Sequence, residues 1–413
     1  MYEIIIIGGG ISGINSYFEL VKRGIKKDKI ILLEKNNYFG GRIKYIDMDL
    51  IGNKYIFPAG AARFTRDHKN TVKLLKEFDL LDFRIDKGSI PHSKFVDTKG
   101  KYEKYGKYNN GFKLVDKVIE KSIKFDEIEL KNMDFKGLSE KILTKSELEY
   151  MLISCGYSGQ LNNMNAYDCI RLFKKDIRVD IKYYMGKYKI LIEKMIKYMK
   201  NNNYNINLNM NVTNIISDER GYKITVNKKN IYAKKILYCI PKENLLKFNI
   251  LNPIKGILEK SITTKPLCRV YAIFKEEDIW FKDLKYKILT DNDLRYIIPI
   301  DANKGIIMIS YTDDKYTKKW NSLIETILKE KIVKDVKRVF NININKPEKV
   351  LTYNWESGVA YWNKGVDSDS ISNFLLNPMP NIYISGENYS MRQSWVEGAL
   401  ETSNECIKKI CNS

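Results

Sequence analysis

The chain has 413 residues, 44% of them apolar, and a formal net charge of +21, enough for two or three domains around a sizeable core. No apolar run approaches the roughly 20 residues of a membrane span or builds a signal-peptide core, so a soluble cytoplasmic protein is expected, with no membrane partner. Cys155, Cys169, Cys239, Cys268, Cys406 and Cys411 form no CxxC pair and the histidines are only His68 and His92, which argues against metal sites, secreted disulfide frameworks and serine–histidine triads.

The positive charge is spread along the chain, and Lys, Ile, Asn and Tyr are inflated together. That pattern fits compositional bias better than a specific nucleic-acid surface, leaving a mild preference for anions. In chain order, the β-branched run 2–7 predicts a buried parallel strand, 8–13 a glycine turn, and 14–22 a helix ended by Gly24. A strand follows over 29–34, then a hairpin with strands 42–47 and 54–57 around Gly52 and Asn53. Residues 70–80 space Val72, Leu74, Leu75 and Phe78 as an amphipathic helix. Residues 98–110 read as a polar loop and 114–199 as mainly helical. Strands are expected over 212–216, 222–226 and 236–240. The run 267–274 alternates, with Cys268, Val270, Ala272 and Phe274 on one face and Leu267, Arg269, Tyr271 and Ile273 on the other. Last come a strand over 381–385, a turn at Gly386 and Glu387, and a helix over 395–410.

Gly8, Gly10 and Gly13 form GxGxxG between a strand and a helix. The first glycine permits the turn, the second lets backbone approach a pyrophosphate, and the third allows close helix–strand packing. Ile11 and Ser12 lie at the helix N-terminus, where free N–H groups and the dipole favour phosphate. Glu34 ends the second strand about 20 residues on, where a carboxylate accepts from ribose hydroxyls. A dinucleotide site follows, for NAD or FAD.

After Glu34 and Lys35, the segment reaches Gly40, Gly41 and Arg42, giving E-x5-G-G-R. Gly386 and Glu387 near the C-terminus are followed by Trp395, Val396, Glu397, Gly398 and Ala399. Together these motifs resemble the flavin-containing amine oxidases, a family that includes monoamine, polyamine and L-amino-acid oxidases. The resemblance implies an α/β fold: a Rossmann-like FAD-binding domain (1–65, 200–250 and 376–413) with an inserted α+β substrate-binding domain (66–199 and 251–375), helical around 114–199. It implies FAD, with Arg42 along the pyrophosphate, Val212 near adenine, and the helix after Trp395 aimed at the flavin ring. Small residues Gly398 and Ala399 would allow that close approach.

The same resemblance implies the reacting centre. Trp395 and Tyr361, with Trp362 beside it, stand where aromatic rings flank the path to flavin. Ala360 stands where monoamine oxidases carry a cysteine bonded to flavin, so FAD is expected to be non-covalent. Arg269 stands where the family usually has a lysine near flavin N5. Arginine stays charged, which puts oxygen reactivity or amine oxidation itself in question. Ala61, Ala62 and Arg63 sit in a G-x-x-R stretch like that of amino-acid oxidases, whose arginine binds the substrate carboxylate. His68 reads as a cap or structural residue. The expectation is oxidation of a primary amine or L-amino acid to an imine, yielding carbonyl product, ammonia and, with molecular oxygen as acceptor, hydrogen peroxide. The alternatives are a dehydrogenase or desaturase of a non-amine substrate, and a flavin-stabilised binding protein.

Overall fold

The aliphatic run Tyr2–Ile7 forms a strand with Ile4, Ile5 and Ile6 fully buried, as a central parallel strand requires. It pairs in parallel with Ile30–Leu33 on one side and Lys229–Tyr238 on the other. The computed structural model of the protein describes residues 1–50, 52–84, 93–157, 159–177, 181–285 and 287–413, so His92 lies outside the described residues.

The long strand Lys229–Tyr238 serves two neighbours along one edge. Its first half takes Gly221–Val226 antiparallel, and its end takes Ile382–Ile384 in parallel. Ile206–Asn207 and Val212–Asp218 close the two ends of this sheet. Its strands therefore come from three stretches of chain far apart in sequence. The helices Ile11–Lys22 and Val396–Cys411 are stitched together by polar contacts: Asn15 Nδ2 donates to Ser403 Oγ at 3.0 Å, and Ser16 Oγ lies 2.8 Å from the same oxygen.

The second sheet runs Lys349–Trp362, Ile262–Ile273, Ile306–Asp313, Tyr296–Asp301, Lys287–Thr290 and Ser93–Val96. It is antiparallel except for the last pair. Strand Ile262–Ile273 is buried on both faces from Leu267 onward. Cys268, Val270, Ala272 and Phe274 pack with Trp320 and Val336. Leu267, Tyr271 and Ile273 join Phe57, Tyr296 and Tyr311. The predicted alternation thus divides two cores, with Arg269 on the second face.

The described residues between 112 and 201 are mainly helical, as expected of 114–199. Two of the short helices begin with reciprocal caps, Asp126 with Glu129 and Thr144 with Glu147, a spacing that fixes their starts. Between the last two helices lies the two-residue strand Tyr184–Met185, which pairs with Arg63–Phe64 and pins the backbone of Arg63. No helix among the described residues is long and apolar enough to cross a membrane.

Candidate active site

A cavity of about 1250 Å³ runs between the two sheets. It exceeds the roughly 300–1,000 Å³ of an ordinary small-molecule pocket. Its walls include Gly8, Gly10, Ile11, Ser12, Glu34, Lys35, Gly40, Gly41, Arg42, Ala61, Ala62, Arg63 and Val212. They also include Arg269, Tyr361, Gly386, Glu387, Trp395, Val396 and Ala399. Of the residues singled out from sequence for the site, Gly13, Gly398 and Trp362 are off this surface, as are His68 and Ala360.

Gly13 lies behind the surface for a steric reason. A Cβ there would stand 2.0 Å from the Gly8 carbonyl oxygen, so only glycine lets the helix close on the strand. Gly8 has φ +112°, and a Cβ would meet the Cys239 carbonyl at 2.5 Å. A Cβ on Gly10 would meet nothing within 4 Å, because that face opens on the cavity. The three glycines thus divide into turn, approach and packing, as the fingerprint requires.

At one end, buried Glu34 accepts from Gly9 N at 2.7 Å and from Asn36 N at 2.8 Å. Its carboxylate is clamped in place, with lone pairs left for hydroxyls. In the middle, two helix N-termini meet the same space. Helix Ile11–Lys22 starts after Gly10 and helix Val396–Cys411 after Trp395, and neither N-cap residue makes a side-chain capping bond. Such ends attract anions. Arg42 Nη1 pairs with the Glu387 carboxylate and reaches the Ser357 carbonyl at 3.3 Å. Glu387 also accepts from Ser394 N at 2.6 Å. The expected arginine is therefore present, but it is braced by a carboxylate. This set of donors and acceptors, in a cavity this long, fits a flavin dinucleotide.

The far end is aromatic and basic. Arg63 lies with its guanidinium 5.6 Å from the Tyr183 ring. Arg269 is buried, donates to the Gly60 carbonyl at 2.5 Å, and lies 4.7 Å from the Tyr311 ring centre. Burial works against its charge, but Tyr311 and Tyr271 raise its affinity for the proton above the ordinary guanidinium value. Trp395 packs edge-on to His68 at 4.8 Å and tilted against Tyr183 at 5.8 Å.

Of the two readings of His68, the structural one holds: it makes no capping bond and is fully buried, with Nε2 3.0 Å from Asp176 Oδ1 and its ring against Trp395. Two sequence expectations need correction. Gly398 does not face the cavity, since a Cβ there would strike Ser390 Oγ at 2.2 Å and the Arg392 carbonyl at 2.3 Å. Trp362 turns away and donates from Nε1 to the Ser390 carbonyl at 3.0 Å, so it anchors a loop. The structure also adds cavity residues with no motif to reveal them. Tyr157 comes from the helical region, and Tyr311 faces Arg269 across paired strands.

A glycine-rich cradle and an aromatic, basic chamber share one cavity, the arrangement of an enzyme that holds a cofactor next to its substrate. Residues 11–406 match the flavin containing amine oxidoreductase family, and the chain belongs to it. Its cofactor is accordingly a flavin and its substrates are small-molecule amines. An uncharacterised protein of Acanthamoeba polyphaga mimivirus is 22% identical, over 98% of this chain and 93% of that one. Among solved structures, a putrescine oxidase variant from a redesign of cofactor binding superposes with a TM-score of 0.78 at 14% identity, covering 99% of this chain and 98% of its own. Cyclohexylamine oxidase from Brevibacterium oxydans gives 0.74 at 14% identity, covering 100% and 99%. These two likenesses concern the fold.

Proposed function

We propose that the protein binds FAD non-covalently and oxidises a primary amine or L-amino acid to an imine, which hydrolyses to a carbonyl product and ammonia. One observation carries this reading: a single cavity joins the Glu34 end, the two helix N-termini and the chamber of Arg63, Arg269, Tyr361 and Trp395. In this reading Glu34 holds ribose hydroxyls, and Ile11, Ser12 and Arg42 face the pyrophosphate. Val212 offers backbone to adenine, and Val396 and Ala399 bring a positive helix end to the ring system. The FAD-binding unit would comprise residues 1–65, 200–250 and 376–413. Ala360 offers no thiol for a flavin bond.

When bound, the flavin supplies two-electron oxidation of the carbon beside nitrogen, with molecular oxygen as the expected acceptor. The chain's own residues position and exclude. Tyr361 and Trp395 wall the approach to the reacting carbon and keep water out. Arg63 takes a substrate carboxylate in its planar fork, which favours amino acids or other carboxylate-bearing amines over plain amines. The test is an anaerobic screen in which substrates bleach the yellow flavin, with peroxide release measured in air. Arg63→Ala should weaken amino-acid substrates about 10- to 100-fold, the scale of a charged hydrogen bond, and leave plain amines nearly unchanged. Equal weakening of both classes would refute the carboxylate role.

A second reading draws on Arg269. A fixed cation in place of an adjustable lysine favours a dehydrogenase that passes electrons to an acceptor other than oxygen. Bleaching without peroxide release would select it.

A further inference from the structure

Arg269 is a buried cation that contacts the carbonyls of Pro58 and Gly60 and the hydroxyl and ring of Tyr311, and no carboxylate among the described residues pairs with it. Its Nε has no hydrogen-bond partner among the described residues. A buried charge needs a counter-charge. The group placed to supply one is Tyr311, which lies directly opposite Arg269 in the strand register and has its hydroxyl 3.4 Å from Nη2. Both residues line the cavity.

We propose that Tyr311 is the base that takes the ammonium proton from the bound amine, its phenolate serving as the counter-ion of Arg269. This rests on the amine-oxidising reading above. Burial pushes the Tyr311 phenol up, but the Arg269 charge, hydrogen bonds from Arg269 and Tyr157, and the Arg63 charge outweigh it and hold the group below the ordinary phenol range. Tyr157 moves the other way: burial and the Tyr311 charge push it well up, so it stays a phenol and donates. Two like groups split in this manner form a donor and an acceptor. The other titratable groups around Tyr311 are Tyr271, Tyr296 at 6.1 Å, Tyr361 and, two residues along the strand, Asp313. Burial raises all three of those phenols, so they stay neutral.

The chemistry balances without a further reagent. An N–H bond of the substrate ammonium breaks, an O–H bond forms on Tyr311, and nitrogen keeps the electron pair. That pair is what drives loss of a hydride equivalent from the neighbouring carbon.

The experiment follows anaerobic flavin reduction in the full flavin-loaded chain across pH 6–10, together with tyrosinate absorbance of the ligand-free protein. The wild type should reach its pH-independent limiting rate at a lower pH than Tyr311→Phe does. At neutral pH Tyr311→Phe should run about 1000-fold below its own limit, and its rate should rise about tenfold per pH unit until it levels near the wild-type limit around the amine's own pKa of roughly 10. A single tyrosinate step should appear below the ordinary phenol range in the wild type. It should vanish in Tyr311→Phe and move upward in Arg269→Gln, which serves as second variant if the first loses flavin. An unchanged pH profile in Tyr311→Phe, or a wild type whose tyrosines all ionise together above about pH 10, overturns the proposal. If no amine bleaches the wild type at any pH, the amine reading itself fails and takes the base role with it.

Discussion

Individual residues carry the nucleotide site by what they lack. Gly13 has no ligand contact, yet a Cβ there would enter the Gly8 carbonyl, which is backbone and cannot swing aside. Gly13→Ala should therefore yield little soluble yellow protein, whereas a surface glycine change such as Gly256→Ala, with nothing within 4 Å, should be harmless. Absorbance of the purified fraction distinguishes the two. The same scale explains what sequence could and could not disclose about the site. Gly8, Gly10, Glu34, Arg42, Glu387 and Trp395 were legible because each sits in a motif whose spacing has a mechanical reason. Tyr311 was not, because its meaning lies in facing Arg269 across a strand pair, and pairing cannot be read from a single segment. The structural role of His68 was foreseen but its partner was not, because Asp176 is remote in sequence.

At the scale of elements, the helix Val396–Cys411 has two loyalties. Its N-terminus opens on the cavity, while its first-turn Glu397 reaches sideways to accept from Asn70 N at 2.9 Å and Thr71 N at 2.8 Å, capping another helix, Lys69–Glu77. One turn on, Glu401 is crowded by this arrangement. Burial, and the charges of Glu397 and Asp176, push its carboxyl from 4.5 up to about 7, with Arg392 opposing. The sign follows from proton counting: between these values the unfolded chain has released the proton and the folded protein still holds it. Stability from this group is complete below about pH 4.5 and is lost as pH rises through about 7. Glu401→Gln should flatten that decline, so that its melting temperature gains on the wild type as pH goes from 5 to 8. Equal slopes would mean the carboxyl titrates normally. The first strand–turn–helix unit, the hairpin and the alternating run over 267–274 were foreseen from local signals, whereas strands Lys287–Thr290, Tyr296–Asp301, Ile306–Asp313 and Lys349–Trp362 and helix Glu325–Phe340 were not read from the sequence. Register and the order of strands in the sheets were not, because they depend on contacts between distant segments.

For the molecule as a whole, the family places the chain among flavin amine oxidoreductases, while attachment of the cofactor is a matter for experiment. Ala360 is fully buried and has no nucleophile to offer. Unfolding in denaturant followed by filtration should leave all the yellow colour in the filtrate and a colourless polypeptide. Colour retained on the protein would contradict non-covalent binding.

The first sheet also has a consequence for how the protein comes into being. Strand Tyr2–Ile7 is synthesised long before Ile382–Ile384 and the helix that pairs with Ser12 to Ser16. At about 5–20 residues per second the first glycine turn waits on the order of tens of seconds for its other half. A chain interrupted before the helix Val396–Cys411 should therefore emerge colourless, because half of its first sheet's support is missing.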